Sequence, residues 1–437
     1  MGKIYIIWCL ENLLILFQKE KNKIMSTNNK KIVKNTAMLM LLNFAKLIFP
    51  FITLPYLTRV MSTDCYGVVA YVKAVMVYMQ VIVDFGFSLS ATKMVVEECK
   101  NQQRLNRIVS LNLFSKLILS LAAFVGLICL IWIIPLLKEN ALYTILSYIV
   151  VFLTVFLFDF LFRGMEMMHI ITIRFVVMKF ISTFLTFVFV KGDEDIYLIP
   201  LLDIVGSIVA VILVFLEVKK LNIKLEVPHF KECLRVIKES ADYFWSNVAS
   251  TSFNVFNTFI AGIVLSPTEV AYWSVCMQII NAIQAGYTPV SDAIYPEMVR
   301  SKNIMLVSKV IKIFGPLIVA GSVIAFGAGK WVLLFLGGNQ YVAALPAFRR
   351  LIPVLLLGFL SIILGWPSLG AIGKVKETSI STVVASIFQI TVVMICLLIG
   401  KITLISMAVI RSITELILFS IRLFYFVKYR KEFKRGE

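Results

Sequence analysis

Between residues 30 and 430 the chain is a succession of about a dozen apolar stretches, each long enough to cross a bilayer. Lipid offers nothing to hydrogen-bond with exposed backbone groups, so a spanning segment of roughly 20 apolar residues must satisfy its own amides as a helix. The pattern predicts an all-α, polytopic membrane protein. Apolar residues make up 60% of the sequence, above the roughly 45–50% usual in soluble domains. The expected spans are 36–57, 66–90, 109–134, 142–162, 170–190 and 196–217, followed by 240–264, 270–296, 310–336, 346–370, 379–399 and 403–427.

A net charge of +18 would suit a nucleic-acid binder, but its placement does not. With the N-terminus inside, the inner junctions carry Lys93, Lys100, Arg104 and Arg107; Arg163; Lys219, Lys220, Lys224, Lys231, Arg235 and Lys238; Arg300, Lys302, Lys309 and Lys312; Lys374 and Lys376; then the tail's Lys428, Arg430, Lys431, Lys434 and Arg435. The outer junctions carry Arg59, Lys138, Lys191 and Lys401. Such asymmetry follows the positive-inside rule and places both termini in the cytoplasm. Anionic lipid headgroups are the expected neighbours of these loops, and nucleic acid is not an expected partner. Seven scattered cysteines and two histidines, His169 and His229, give neither a disulfide framework nor a metal site. Residues 1–24 contain an apolar stretch, Ile4–Phe17, too short to span; they read best as an extension upstream of a start at Met25.

The longest polar junction, residues 218–239, divides the chain into two sets of six spans. The expected organisation is a cytoplasmic segment (1–35), a first lobe (36–217), a linker (218–239), a second lobe (240–427) and a basic tail (428–437). A shift of 204 residues lays the first set on the second, with Thr36 on Ser240, Asn43 on Asn247, Gln80 on Gln284 and Met94 on Met298. An even number of spans per repeat makes the repeats parallel, an arrangement that in transporters places substrate between the halves. No junction is long enough for a catalytic domain, which weighs against a membrane polymerase or other enzyme.

Ionisable side chains inside spans are costly and point to function. Lys46, Lys73, Asp84, Lys116, Asp159, Arg174, Lys179 and Asp203 lie in the first set; Asp242, Asp292, Arg349, Arg350, Arg411 and Glu415 lie in the second. Helical spacing aligns Asn43, Lys46, Pro50 and Thr53 on the first span and Lys73, Gln80 and Asp84 on the second. Asn247, Ser250, Asn254 and Asn257 form a line on the seventh, and Gln278, Asn281, Gln284 and Thr288 on the eighth. A polar seam between lobes follows, represented by Asn43, Gln80, Asn247, Asn254 and Gln284. Its first-lobe wall is basic, which suits phosphate oxygens. Lys46, Lys73, Arg174, Arg349 and Arg350 are the candidate substrate contacts, and Asp84, Asp159 and Asp203 the candidate ion-coupling carboxylates.

Several of these residues have simpler readings. Lys93, Arg163 and Arg300 sit where side chains snorkel to the interface. One of Arg349 and Arg350 suits an interfacial anchor, and Arg411 and Glu415 can neutralise each other. Asp159 and Asp203 can be structural partners of Arg163, Arg174 or Lys179. Pro50, Pro55, Pro289 and Pro296, and the glycines and Pro367 of the tenth span, are positions where helices bend.

The run Thr53-Leu54-Pro55-Tyr56-Leu57-Thr58-Arg59-Val60, followed by Tyr66-Gly67, resembles the first-span signature of Wzx-type polysaccharide repeat-unit flippases, within the multidrug/oligosaccharidyl-lipid/polysaccharide exporter superfamily. Asp84-Phe85-Gly86-Phe87 with Ser90-Ala91-Thr92-Lys93, and Phe162-Arg163-Gly164-Met165-Glu166-Met167, resemble two further family segments; Arg163 replaces the usual Gln. The resemblance implies a twelve-helix exporter with two lobes and alternating access, coupled to an ion gradient. It implies an undecaprenyl-diphosphate-linked oligosaccharide as substrate and a plasma-membrane location, with O-antigen, capsule, exopolysaccharide or a wall glycan as the polymer served. Polysaccharide polymerase machinery is an implied partner, and no cofactor is implied. A drug or small-cation exporter of the same superfamily is the alternative, and predicts an acidic cavity.

Overall fold

The computed structural model describes residues 34–434, apart from the side chains of Ser246, Ala249, Ser250, Ser252, Phe253 and Asn254. The readings made for residues 1–24 and for Asn254 therefore lie outside the described residues. Regular structure among the described residues is helical, with one isolated bridge between Asn303 and Lys434.

Among the described residues, ten helices are long and apolar enough to cross a membrane. They are α1 (Lys34–Val60), α2 (Thr63–Glu98), α3 (Gln102–Ile133), α4 (Ala141–Gly164), α5 (Met168–Phe189), α6 (Asp193–Lys220), α9 (Ile304–Gly337), α10 (Pro353–Gly370), α11 (Val375–Leu398) and α12 (Leu404–Lys428). Two more helical segments occupy the seventh and eighth places: α7 (Ala241–Val264) and α8, formed by Pro267–Ala285 and Tyr287–Ser301. The polar stripes read on these two segments lower their hydropathy and set them apart from the other ten. A short helix, Phe230–Glu239, lies in the linker and buries Cys233 and Val236.

Local chemistry sets the helix starts. Ser62 accepts from the Cys65 amide at the head of α2, and Asn101 accepts from Gln103 and Arg104 at the head of α3. Ser266 with Glu269 and Thr403 with Ser406 form reciprocal capping boxes on α8 and α12. Interruptions are equally local. Phe85 and Gly86 both take left-handed backbone angles and break α2. α10 ends in a π-helical turn, Leu364–Gly370, where Gly365 leaves helical geometry next to Pro367. α1, by contrast, stays helical through Pro50 and Pro55.

Contacts at the helix ends show that the chain crosses the bundle back and forth. At one end the Ser62 amide donates to Asp193 at 2.7 Å, and Thr268 donates to Asp64. At the other end, which holds the Lys/Arg-rich junctions, Gln102 donates to the Leu221 and Asn222 carbonyls, Arg107 pairs with Glu232 at 2.7 Å, and Lys374 pairs with Glu432 at 3.0 Å.

The first six helices meet the second six mainly through α2, which packs on α7 and α8. Two glycines permit this approach. A Cβ on Gly67 would stand 1.9 Å from the Pro267 carbonyl oxygen, and one on Gly262 would stand 2.0 Å from the Tyr71 ring. The two sets touch at both ends. Away from the basic end, Thr58 donates to the Leu336 carbonyl at 2.8 Å, Arg59 to the Phe335 carbonyl at 2.6 Å, and Gln340 to the Thr58 carbonyl at 2.5 Å. At the basic end Phe85 stacks on Phe244 with ring centroids 4.3 Å apart, and the Ser90 and Ser240 hydroxyls are 2.8 Å apart.

This packing predicts unequal effects of adding a methyl group. Gly67→Ala should cost about 1–3 kcal/mol through overpacking, seen as a lower Tm in detergent. Gly126→Ala, whose Cβ meets nothing within 4 Å, should leave Tm unchanged or slightly raised.

Candidate functional site

A cavity of about 760 Å³ lies among α1, α2, α4, α5 and α6. α1 contributes Lys46, Pro50 and Thr53; α2 contributes Tyr66, Lys73 and Gln80. α5 contributes Phe175, Lys179, Ser182 and Thr186, and α6 contributes Asp203. Among the described residues Gln278 of α8 is the single lining residue from the second set, and it donates to the Tyr66 hydroxyl at 2.9 Å. The cavity thus lies inside the first set of helices, where the sequence reading places it between the sets. At the seam itself α2 meets α7 and α8 closely through Gly67 and Gly262.

Three lysines and one carboxylate face this space. Lys73 projects into it from the middle of α2. Lys46 lies 5.9 Å from the centroid of the Phe175 ring, within reach of a cation–π attraction. Lys179 Nζ stands 3.0 Å from Asp203 Oδ1, and the Ser182 hydroxyl donates to the same oxygen at 2.5 Å. Asp203 is the one acid on the wall. The excess of cations gives the space a positive potential, which low-dielectric walls concentrate.

The other expected residues are placed as follows. Arg174 is buried and pairs with Asp159, away from the lining. Asp84 takes a 2.8 Å ion pair from Lys116 and a 2.9 Å hydrogen bond from Gln80, which also donates to Thr154. Asp84 does not line the cavity, although Gln80 does. Arg349 and Arg350 are exposed and remote from it: Arg349 lies over the Phe326 ring and donates to the Phe326 carbonyl, and Arg350 donates to the Pro346 carbonyl. Asn43 and Asn247 are exposed. Gln284 turns into the second set and donates to the Val354 carbonyl at 3.2 Å. Arg411 and Glu415 form a fully buried pair at 2.9 Å.

Sequence reasoning undervalued Lys179 and overlooked Arg422. Phe175, Lys179, Ser182 and Thr186 follow helical spacing along one face of α5, and all four line the cavity. Arg174 is one residue off that face, which turns it toward Asp159. Arg422, buried in α12, donates to the Ser361 carbonyl at 2.8 Å and to the Ser381 and Thr382 hydroxyls beside the α10 kink. Its position near the end of the last span gave no sign of burial.

Two substitutions separate holding the fold from lining the cavity. Arg174→Met strips Asp159 of its partner and should destabilise the protein by up to about 3 kcal/mol, read as a fall in Tm. Lys73→Met removes a cation from the wall and should leave Tm unchanged or higher.

Comparisons with known proteins agree with this architecture. The family model described as "Polysaccharide biosynthesis protein" matches residues 32–302. A Shigella dysenteriae protein named "Putative O-antigen transporter" is 27% identical over 300 residues, covering 66% of this chain and 74% of that protein. A protein of the same name from Escherichia coli (strain K12) is 24% identical over 301 residues, covering 65% and 70%. Among solved structures, the lipid II flippase MurJ in an inward closed conformation superposes with a TM-score of 0.66 at 15% identity, over 91% of this chain and 87% of that one. An inward-facing MATE-family multidrug resistance transporter of the MOP superfamily gives 0.57 at 16% identity, over 89% and 99%. At such identities the likeness is one of fold: a polytopic helical membrane protein built like the MOP-superfamily transporters. The matched segment spans more than half of the sequence and every residue lining the cavity, and the chain belongs to the polysaccharide biosynthesis protein family.

Proposed function

We propose that this protein flips undecaprenyl-diphosphate-linked oligosaccharide repeat units from the cytoplasmic to the outer face of the plasma membrane. It is a transporter rather than an enzyme, as its family and the names of its relatives indicate. The observation that carries the reading is the cavity in the first six helices, where Lys46, Lys73 and Lys179 outnumber Asp203. A diphosphate is the anion such a wall suits, because ammonium groups act as point charges on phosphate oxygens. The volume is that of a small-molecule site. It accommodates the diphosphate and the adjoining sugar, while the rest of the oligosaccharide needs the bundle to open. Contacts between the two sets of helices at both ends supply surfaces that can part alternately, as alternating access requires.

In this reading both termini are cytoplasmic, the basic junctions face anionic headgroups, and the units delivered outside pass to polysaccharide polymerase machinery for O-antigen or capsule. The competing reading, a drug or small-cation exporter on the same fold, needs an acidic cavity and meets a net positive one. Ion coupling is assigned to Asp84, whose contacts with Lys116 and Gln80 reach the cavity through Gln80.

Sidedness of the lipid-linked oligosaccharide tests the proposal. In cells depleted of the protein, repeat units should accumulate protected from an impermeant sugar-oxidising label, and the wild-type chain should restore labelling. Unchanged labelling with altered drug efflux would support the exporter reading instead. For coupling, Asp84→Asn should make export insensitive to the proton gradient and slower at every gradient. Normal export across a range of gradients would remove Asp84 from the mechanism.

A further inference from the structure

We propose that Asp203 is a resident counter-anion: it occupies the cation site when the cavity is empty, competes with the incoming anion, and so sets how readily that anion is released. This rests on the anion-carrying function proposed above.

Among the described residues, the first six helices hold three ion pairs within their spans, and they are not equivalent. Asp84 with Lys116 and Asp159 with Arg174 each contain a cation that does not line the cavity. In the third pair, Lys179 and Asp203 both line it, together with Ser182, which donates to Asp203, and Lys73. An anion entering this space meets Lys179 together with Asp203, which lies 3.0 Å from its ammonium. Two like charges cannot share one ammonium at contact distance without mutual repulsion, so the entering anion must weaken the Asp203–Lys179 pair.

Such a competitor has a use in a carrier. A cavity with three free lysines would hold a diphosphate tightly and release it slowly. A carboxylate already on the wall lowers affinity in the loaded state and takes the ammonium back as the anion leaves. Repeat geometry supports a role confined to this site. The 204-residue shift lays Lys46, Lys73, Lys179 and Asp203 on Ser250, Met277, Val383 and Met407, so the second set carries no copy of the arrangement.

The prediction has the opposite sign from that for a residue that binds substrate or only holds the fold. The full-length protein in lipid nanodiscs is titrated with farnesyl diphosphate, with inorganic pyrophosphate as a lipid-free arm. Asp203→Asn should bind the diphosphate at least about fivefold tighter than wild type while flipping repeat units more slowly. Asp203→Glu should keep wild-type affinity. If Asp203→Asn does not fold, Lys179→Gln is compared with the double variant Lys179→Gln/Asp203→Asn, which keeps the site free of an unpaired lysine at 179. The double variant should then bind tighter than the single one, because Asp203 no longer opposes the anion at Lys73. Equal or weaker diphosphate binding on loss of Asp203, in either pair, overturns the counter-anion role and leaves the transport reading standing. Absence of saturable diphosphate binding in wild type and variants alike overturns both. Tighter binding of farnesyl diphosphate and pyrophosphate together places the competition at the phosphates; tightening confined to pyrophosphate contradicts a role with lipid-borne anions and overturns the proposal.

Discussion

A charge inside a bilayer is tolerated when an opposite charge or a ring of donors and acceptors lies within contact distance, and this protein is arranged around that requirement. Lys116 answers Asp84, Arg174 answers Asp159, and Lys179 answers Asp203. In the second set of helices Arg411 answers Glu415, and Arg422 is met by a carbonyl and two hydroxyls. In the first set these pairs join α2 to α3, α4 to α5 and α5 to α6, and Arg411 with Glu415 joins two turns of α12. With them in place, Lys46 and Lys73 face the cavity with no carboxylate in contact among the described residues, and the cavity's positive character follows.

Much of the fold was legible in the sequence because lipid leaves few choices. Apolar stretches of spanning length must be helices, and alternating Lys/Arg content grouped the basic junctions that the structure gathers at one end. The capping residues Ser62, Asn101, Ser266 and Thr403 lie where the junctions were read. The candidate site was legible only in part. Lys46, Lys73 and Gln80 reach the cavity, since a charge or amide on an apolar face must go somewhere polar. Arg174 and Asp84 were expected beside them but close on other partners, and a helical stripe alone does not reveal which neighbour stands opposite. Arg349 and Arg350 do not line the cavity: both are exposed and donate to carbonyls close by, those of Phe326 and Pro346. The position of the cavity was least legible of all, because spacing along one helix does not show which helices stand around it.

The break in α2 belongs to the same picture. The helix touches the second set near Gly67, passes Lys73, and then changes direction at Phe85 and Gly86 before meeting Phe244 and Ser240. A Cβ at position 86 would stand 2.4 Å from Tyr243 Cβ, and the backbone there is left-handed. Glycine is therefore required twice over, by conformation and by space. The segment carrying Lys73 and the segment making the contact at the basic end are thus two rods with a joint between them.

Among the described residues the cavity lining comes from the first six helices and Gln278. Under the function proposed above, variation along α5 and α6 would change that wall, whereas variation along α10 to α12 would not touch it. A lineage facing a new surface sugar could then adapt one half of this chain while the other half drifts.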